Sequence, residues 1–361
     1  MSSFIRSDIL SLPGYVPGEQ PREGEAVKLN TNENPYRASE KVYDAIRRVC
    51  DKGLSRYPNA LGEAFRQKAA DVYGVSPEMV LCGNGSDDIL TILTRSFVGA
   101  GEKLRLAKPS YILYKTLALL QAGQAEEIRF NDDWTLPDSF GQPPADGGRL
   151  KLVYLPNPNS PSGTILSKER IWELAESLPC PILVDEAYAD FAGSSCIDLV
   201  RRTPKIMVSR TLSKGYALAG LRFGYLFAQP ETIEQLVKMK DSYNCDALAI
   251  AAATAAIGDF QWLAETRSKI LATRARLTDA FRSFGFVVPT SSANFTWNVF
   301  PDKKFSHKAL YEYLKQNGYL VRYMDYGDCG DGLRISVGTD PQIDDVIRLT
   351  ERFLNEKRGE K

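Results

Sequence analysis

The chain has 361 residues, 43% of them hydrophobic, and its 45 lysines and arginines are matched by 45 aspartates and glutamates. This balance leaves no electrostatic footprint for nucleic acid or an anionic membrane surface, and no apolar run is long enough to span a bilayer. The length points to two domains, and an N-terminus without an apolar core fits a cytoplasmic protein.

The first forty residues are rich in proline and glycine, have little periodicity, and read as an arm. "EMVLCGN" then reads as a strand and turn, and "SDDILTILTRSFV" as a helix. "EKLRLAKPS", "AEEIRF", "LKLVYLPNP", "CPILVDEA", "KIMVSRT" and "FGYLFA" read as short strands. Between several of them lie helical patterns such as "YILYKTLALLQAG" and "SKERIWELAESL". The alternation predicts an α/β fold, with a large domain over residues 41–265 whose mostly parallel sheet is flanked by helices. A helical stretch from Pro230 to about Arg282 follows. The pattern restarts in "FVVPTSSANFTWNVF", "SHKALYEYLKQNG", "YLVRYM", "GLRISVG" and a closing helix, which predicts a smaller α/β domain over residues 266–361.

Six scattered cysteines contain no CxxC pair and are expected as free thiols. The only histidine, His307, falls at the start of an amphipathic helix. A Ser-His-Asp hydrolase or a histidine-rich metal site is therefore not expected, and no metal is predicted. Chemistry in this chain would rest on lysine, carboxylate, tyrosine and a cofactor.

In open parallel sheets, ligands bind beyond the carboxyl ends of the strands. Asp185 ends one apolar run. Asn157, Asn159 and Ser160 follow another, and Ser209, Thr211, Ser213 and Lys214 a third. "GNGSDD" places Ser86 and Asp87 at a strand-to-helix turn. Each alone also reads as a turn, a helix cap or a surface lysine. Together with Arg222 they suit a phosphorylated pyridine aldehyde. A lysine amine condenses with the aldehyde. A carboxylate keeps the ring nitrogen protonated. Hydroxyls, an arginine and a helix N-terminus hold the phosphate.

In this order along nearly the whole chain, "LNTNENPY", "SRYPN", "GNGSDD", "KPSYILY", "NPNSPSGT", "VDEAYADF", "SRTLSKGYALAGLRFGY", "SANFTWNVF", "LVRYM" and "GLRISVGT" resemble the fold-type-I pyridoxal-phosphate aminotransferases of class I/II. The likeness is strongest to the histidinol-phosphate aminotransferases among them. The resemblance implies pyridoxal 5'-phosphate as cofactor, with Lys214 as its Schiff-base lysine and proton shuttle. It implies Ser86, Asp87, Thr211, Ser213 and Arg222 at the phosphate, Asp185 at the ring nitrogen, Tyr188 at the ring hydroxyl and Tyr111 stacked on the ring. Tyr57 would reach the phosphate of the neighbouring subunit, implying a homodimer with composite sites. The arm of residues 1–40 would join the small domain and the dimer contacts, with Tyr15 crossing towards substrate.

Arg334 and Arg322 resemble the two basic substrate contacts. Tyr243 and Asn244 match a site-lining pair, and Asn32 and Glu33 lie in the arm motif. This sequence departs from the family at Ser160, where asparagine is usual, so either Asn159 or Ser160 is open as the ring-hydroxyl contact. The implied reaction moves an amino group between histidinol phosphate or imidazole-acetol phosphate and glutamate or 2-oxoglutarate, in histidine biosynthesis. An aromatic amino-acid aminotransferase and a threonine-phosphate decarboxylase stay open as alternatives. A non-catalytic cofactor sensor is more remote, because no DNA-binding segment is visible.

Overall fold

The computed structural model describes residues 4–10, 12, 18–21, 24, 26–302 and 304–359, and among these the chain forms three sheets. β1 (Val27–Lys28) pairs with β10 (Tyr319–Leu320). β9 (Phe295–Asn298), β11 (Arg322–Asp325) and β12 (Asp331–Ser336) make an antiparallel sheet in the order β11-β12-β9. The largest sheet has seven strands. They run in the order β2 (Val80–Gly83), β8 (Gly224–Phe227), β7 (Ile206–Thr211), β6 (Ile182–Asp185), β5 (Leu150–Pro156), β3 (Lys103–Lys108) and β4 (Gln124–Arg129).

β8 runs antiparallel to both of its neighbours, and the other pairs are parallel. The sheet is mostly parallel, as the sequence predicts, and the antiparallel β8 makes it mixed. β6, β7 and β8 are buried along their whole length because helices cover both faces. A sheet covered on both faces selects continuous apolar runs instead of alternation.

Helices begin where the sequence supplies caps. The side chains of Ser167, Asp246 and Ser306 accept from the amides of Arg170, Ala249 and Ala309. The alanine-rich helix Ala247–Ile257 packs against the helices Glu40–Lys52 and Glu63–Tyr73, because small side chains allow close approach. Two buried clusters occupy the faces of the large sheet, and a third gathers Leu29 with residues from Leu277 to Leu354. The helix Phe260–Ser283 runs unbroken through residue 265. Trp262 and Leu263 on it pack against the first cluster, and Leu277 and Phe281 belong to the third. We propose this helix as the connection between two lobes. Among the described residues no single helix is long and apolar enough to cross a membrane. His307 is buried in the smaller lobe, where its Nε2 accepts from the Phe300 amide at 2.8 Å and its Nδ1 faces Asp331 at 3.1 Å.

One ionic group is fully enclosed. Arg210, the penultimate residue of β7, donates to Glu186 at 2.9 Å and to Asp190, and lies 5.7 Å from the centre of the Tyr73 ring. Glu186 also accepts from the Ser195 hydroxyl at 2.6 Å and the Cys196 amide at 2.5 Å. Burial raises the pKa of Glu186, and the Arg210 charge pulls it back. Removing the cation strands two carboxylates in the interior. Arg210→Ala is expected to cost about 3–5 kcal/mol of stability, read as a lower urea midpoint at unchanged slope.

Candidate active site

A cleft of about 450 Å³ opens where the carboxyl ends of β5, β6 and β7 meet the N-terminus of the helix Ser86–Phe97 and one face of β12. Thr211 ends β7, and the chain turns through Leu212 and Ser213 to Lys214. The Lys214 Nζ donates to the Thr31 carbonyl at 2.9 Å. Asn34 Nδ2 holds this turn by donating to the carbonyls of Lys214 (3.2 Å) and Gly215 (3.0 Å). Burial lowers the Lys214 pKa from 10.5 to about 8, and the Arg334 and Arg222 charges push the same way while Glu33 opposes them. An amine so depressed is both a nucleophile and a base near neutral pH.

Asp185 ends β6. Its carboxylate accepts from Tyr114 Oη at 2.7 Å, Ser209 Oγ at 3.1 Å and the Ala187 amide at 3.2 Å. Burial raises its pKa, and these three donors oppose the rise. All three donors are neutral, and Asp185 forms no ion pair among the described residues.

At the other end, Arg222 lies directly over Gly85, where a side chain would collide with the guanidinium. The Gly224 backbone packs equally closely on the Gly85–Ser86 turn. Two glycines thus bring an arginine and a strand against the start of a helix. Arg222 Nη1 lies 3.4 Å from Ser213 Oγ, which accepts from Thr211 Oγ1 at 3.0 Å. Amides at a helix N-terminus, hydroxyls and a guanidinium make an anion seat. A buried carboxylate lacking a cation, an amine of low pKa and this seat therefore fit a ring bearing a positive nitrogen, a carbonyl carbon and a phosphate.

The class I and II aminotransferase family profile matches residues 25–349. The chain belongs to the class I and II aminotransferases. It is 56% identical to a histidinol-phosphate aminotransferase of Rhodopirellula baltica, covering 97% of this chain and 95% of that one. It is 41% identical to another of Geotalea uraniireducens, covering 95% and 97%. The crystal structure of histidinol-phosphate aminotransferase from Sinorhizobium meliloti in complex with pyridoxal-5'-phosphate superposes with a TM-score of 0.88 at 25% identity, covering 99% of each chain. An aromatic aminotransferase of Pyrococcus horikoshii shares the fold at a TM-score of 0.81 and 21% identity, covering 92% of this chain and 96% of that one.

The cleft brings together Lys214, Asp185, Tyr188, Tyr111, Ser86, Asp87, Thr211, Ser213 and Arg222 with Asn32, Glu33, Ser160 and Arg334. Arg334 donates to Ser160 Oγ at 3.0 Å and to the Asn30 carbonyl at 2.8 Å. Ser160, not Asn159, lines the cleft. Asn159 turns aside because its Nδ2 donates to Ser162 Oγ at 2.9 Å. Arg322 lies outside the lining, behind Gly18. Tyr57 and Tyr243 also lie outside it, stacked on each other with ring centres 4.5 Å apart. Asn244 donates to Asp88 at 2.8 Å and to the Cys82 carbonyl at 3.1 Å. Tyr15 falls outside the described residues.

Four polar lining residues escape the sequence reading: Gln20, Lys28, Thr31 and Tyr114. Tyr114 carried a usable signal, since it follows Tyr111 by three residues in a helical pattern and so shares its face. Lys28 is ion-paired with Glu33 at 2.6 Å.

The Lys214 pKa generates a test. In cofactor-free protein, its rate of acylation by an amine reagent, followed by peptide mass spectrometry, is expected to rise with pH to a midpoint near 8. In Arg334→Gln the midpoint moves upward, because a neighbouring positive charge no longer disfavours the ammonium form.

Proposed function

We propose that the protein is a pyridoxal 5'-phosphate-dependent aminotransferase that moves an amino group between histidinol phosphate and 2-oxoglutarate, reversibly giving imidazole-acetol phosphate and glutamate. The observation that carries this reading is the placing of Lys214, with its pKa near 8, in one cleft with the unpaired buried Asp185 and the anion seat at Arg222. When bound, the cofactor supplies an electron-withdrawing ring that stabilises negative charge at the substrate's reacting carbon.

The protein's part is binding and proton transfer. Arg222, Ser213, Thr211 and the amides of Ser86 and Asp87 hold the phosphate. Asp185 keeps a proton on the ring nitrogen by opposite charge. Tyr111 packs on the ring, and Tyr188 meets its hydroxyl beside Ser160. Lys214 carries the cofactor at rest, then takes the proton from the substrate carbon and returns it. Arg334 receives an acidic group of either substrate, the phosphate of histidinol phosphate or a carboxylate of glutamate.

Arg322 favours a phosphorylated partner. It is the register partner of Arg334 on the antiparallel β11–β12 pair, which puts both side chains on one face. Like charges directly opposed are destabilising unless an anion joins them. Arg322 makes no hydrogen bond or ion pair among the described residues. The 56% identity to the Rhodopirellula baltica enzyme supports the same substrate.

A second copy of the chain would complete the site. Tyr57 is 80% exposed and stacks on Tyr243, 46% exposed, and Leu54, which lines a surface hollow with Tyr57, is 61% exposed, an apolar surface that a lone protomer leaves in water. We place Tyr57 at the partner's phosphate seat in a homodimer. Tyr243 and Asn244 line the composite site.

Borohydride reduction of the loaded protein should fix the cofactor on Lys214, and Lys214→Ala should give no trapped adduct. A label mapped to another lysine overturns the assignment. The substrate is tested by stopped-flow absorbance with histidinol phosphate, phenylalanine, threonine phosphate and glutamate. Histidinol phosphate and glutamate should convert the bound cofactor fastest. Phenylalanine in first place would instead establish an aromatic aminotransferase. Arg322→Ala should weaken kcat/KM for histidinol phosphate by about 1.5–3 kcal/mol more than for glutamate, and equal losses would remove the argument for a phosphate.

A further inference from the structure

We propose that Asn32 is a positioning residue that fixes the direction of the Tyr188 hydroxyl proton, aiming it into the cleft. The inference rests on the reading of Tyr188 as the contact to the cofactor's ring oxygen.

Asn32 lines the cleft, yet it is only 1% exposed and all its polar groups are engaged. Its amide N–H donates to Ser336 Oγ at 2.8 Å. Ser336 Oγ lies 3.0 Å from Asn32 Oδ1 and donates its proton there. Asn32 Nδ2 then points the other way and donates to Tyr188 Oη at 2.9 Å. Asn294 Nδ2 closes the arrangement by donating to the Asn32 carbonyl at 2.9 Å.

Each bond dictates the next. A flipped Asn32 amide would face its NH₂ to the Ser336 hydroxyl proton, donor against donor, and leave that proton without an acceptor. Because Tyr188 Oη accepts from Asn32, its own proton cannot lie along that line and turns to the cleft side, where Ser160 is its other hydrogen-bonding neighbour. The ring is held as well, edge-on to Phe295 with centres 5.0 Å apart. The charged groups that act on Tyr188 are Arg334 and Asp185.

The backbone shows what this arrangement costs. Asn32 has φ 56°, the left-handed region that asparagine tolerates better than other side-chain residues. That conformation lets one residue bond Ser336, on β12 of the smaller lobe, and Tyr188, beyond β6 of the larger. The substrate arginine, Arg334, lies two residues before Ser336 on the same strand and holds Ser160 from the other side of the cleft.

The test uses the holoenzyme without substrate and reads the pH titration of the bound cofactor's visible absorbance. Asn32→Asp keeps the shape but offers Tyr188 an acceptor, drawing its proton back. Asn32→Gly removes the amide at a φ that glycine adopts freely. Tyr188→Phe removes the hydroxyl.

A donor to the ring oxygen stabilises its anion and lowers its proton affinity. Asn32→Asp and Tyr188→Phe are therefore each expected to raise the apparent pKa by about one unit. Asn32→Gly should raise it less, and the double variant Asn32→Asp/Tyr188→Phe should match Tyr188→Phe alone. If both Asn32 variants titrate like wild type while Tyr188→Phe shifts, Asn32 does not act through Tyr188 and the inference fails alone. It fails in the same way if they only lower melting temperature and cofactor occupancy. If Tyr188→Phe also titrates like wild type, the ring-oxygen reading of Tyr188 falls and takes the inference with it.

Discussion

Asp185 sits at the end of β6 with 5% of its surface exposed, and its nearest partners are a phenol, a hydroxyl and one backbone amide. Moving a carboxylate out of water costs several kcal/mol, and neutral donors return only part of that. The fold keeps the group there by supplying each donor from a different element. Tyr114 comes from the helix Leu113–Leu120, Ser209 from β7, and the Ala187 amide from the turn after β6. The parallel register that pairs Asp185 with Ser209 across β6 and β7 fixes one of the contacts. The incomplete compensation makes the position receptive to a positively charged ring nitrogen, which is what the proposed chemistry requires.

The turn that carries Lys214 depends on the reverse side of the same strands. Side chains alternate along β7, so Ser209 faces Asp185 and Thr211 the cleft while Arg210 looks away, to Glu186 and Asp190. Asp190 also packs on Gly215, where any side chain would collide with its carboxylate. The buried ion group thus presses on one side of the lysine turn, and Asn34 grips its carbonyls on the other. The stability of the interior and the placing of the amine are one problem for this chain.

The groups at strand ends were legible in the sequence because a strand-to-turn boundary has a local signature. Lys214, Asp185, Thr211, Ser213, Ser86 and Asp87 all fall just beyond apolar runs, and the cleft contains them. The alternation of strands and helices pointed to the mostly parallel sheet for the same reason. What escaped depends on distant packing. Ser160 and Asn159 are neighbours in a polar loop, and which one faces inward is decided by Ser162, Pro109 and Arg334. Lys28 and Thr31 reach the cleft because β1 pairs with β10, which lies near the other end of the sequence. The motif containing Asn32 suggested a substrate contact, but no local pattern reports that Ser336 and Tyr188 would occupy both ends of its amide.

Charge in the cleft couples binding to the strength of the base. Lys214 is depressed first by burial and next by the Arg334 charge, with Arg222 adding to it. A depressed pKa supplies neutral amine for attack, and it also makes the lysine a weaker proton acceptor, so its two tasks favour different values. In the proposed function the arginines answer both needs, because they are also the proposed anion ligands. An anion on Arg334 cancels part of the field that disfavours the ammonium form, and the proton affinity of Lys214 rises as substrate arrives. By linkage, protonating the lysine tightens anion binding by the same free energy.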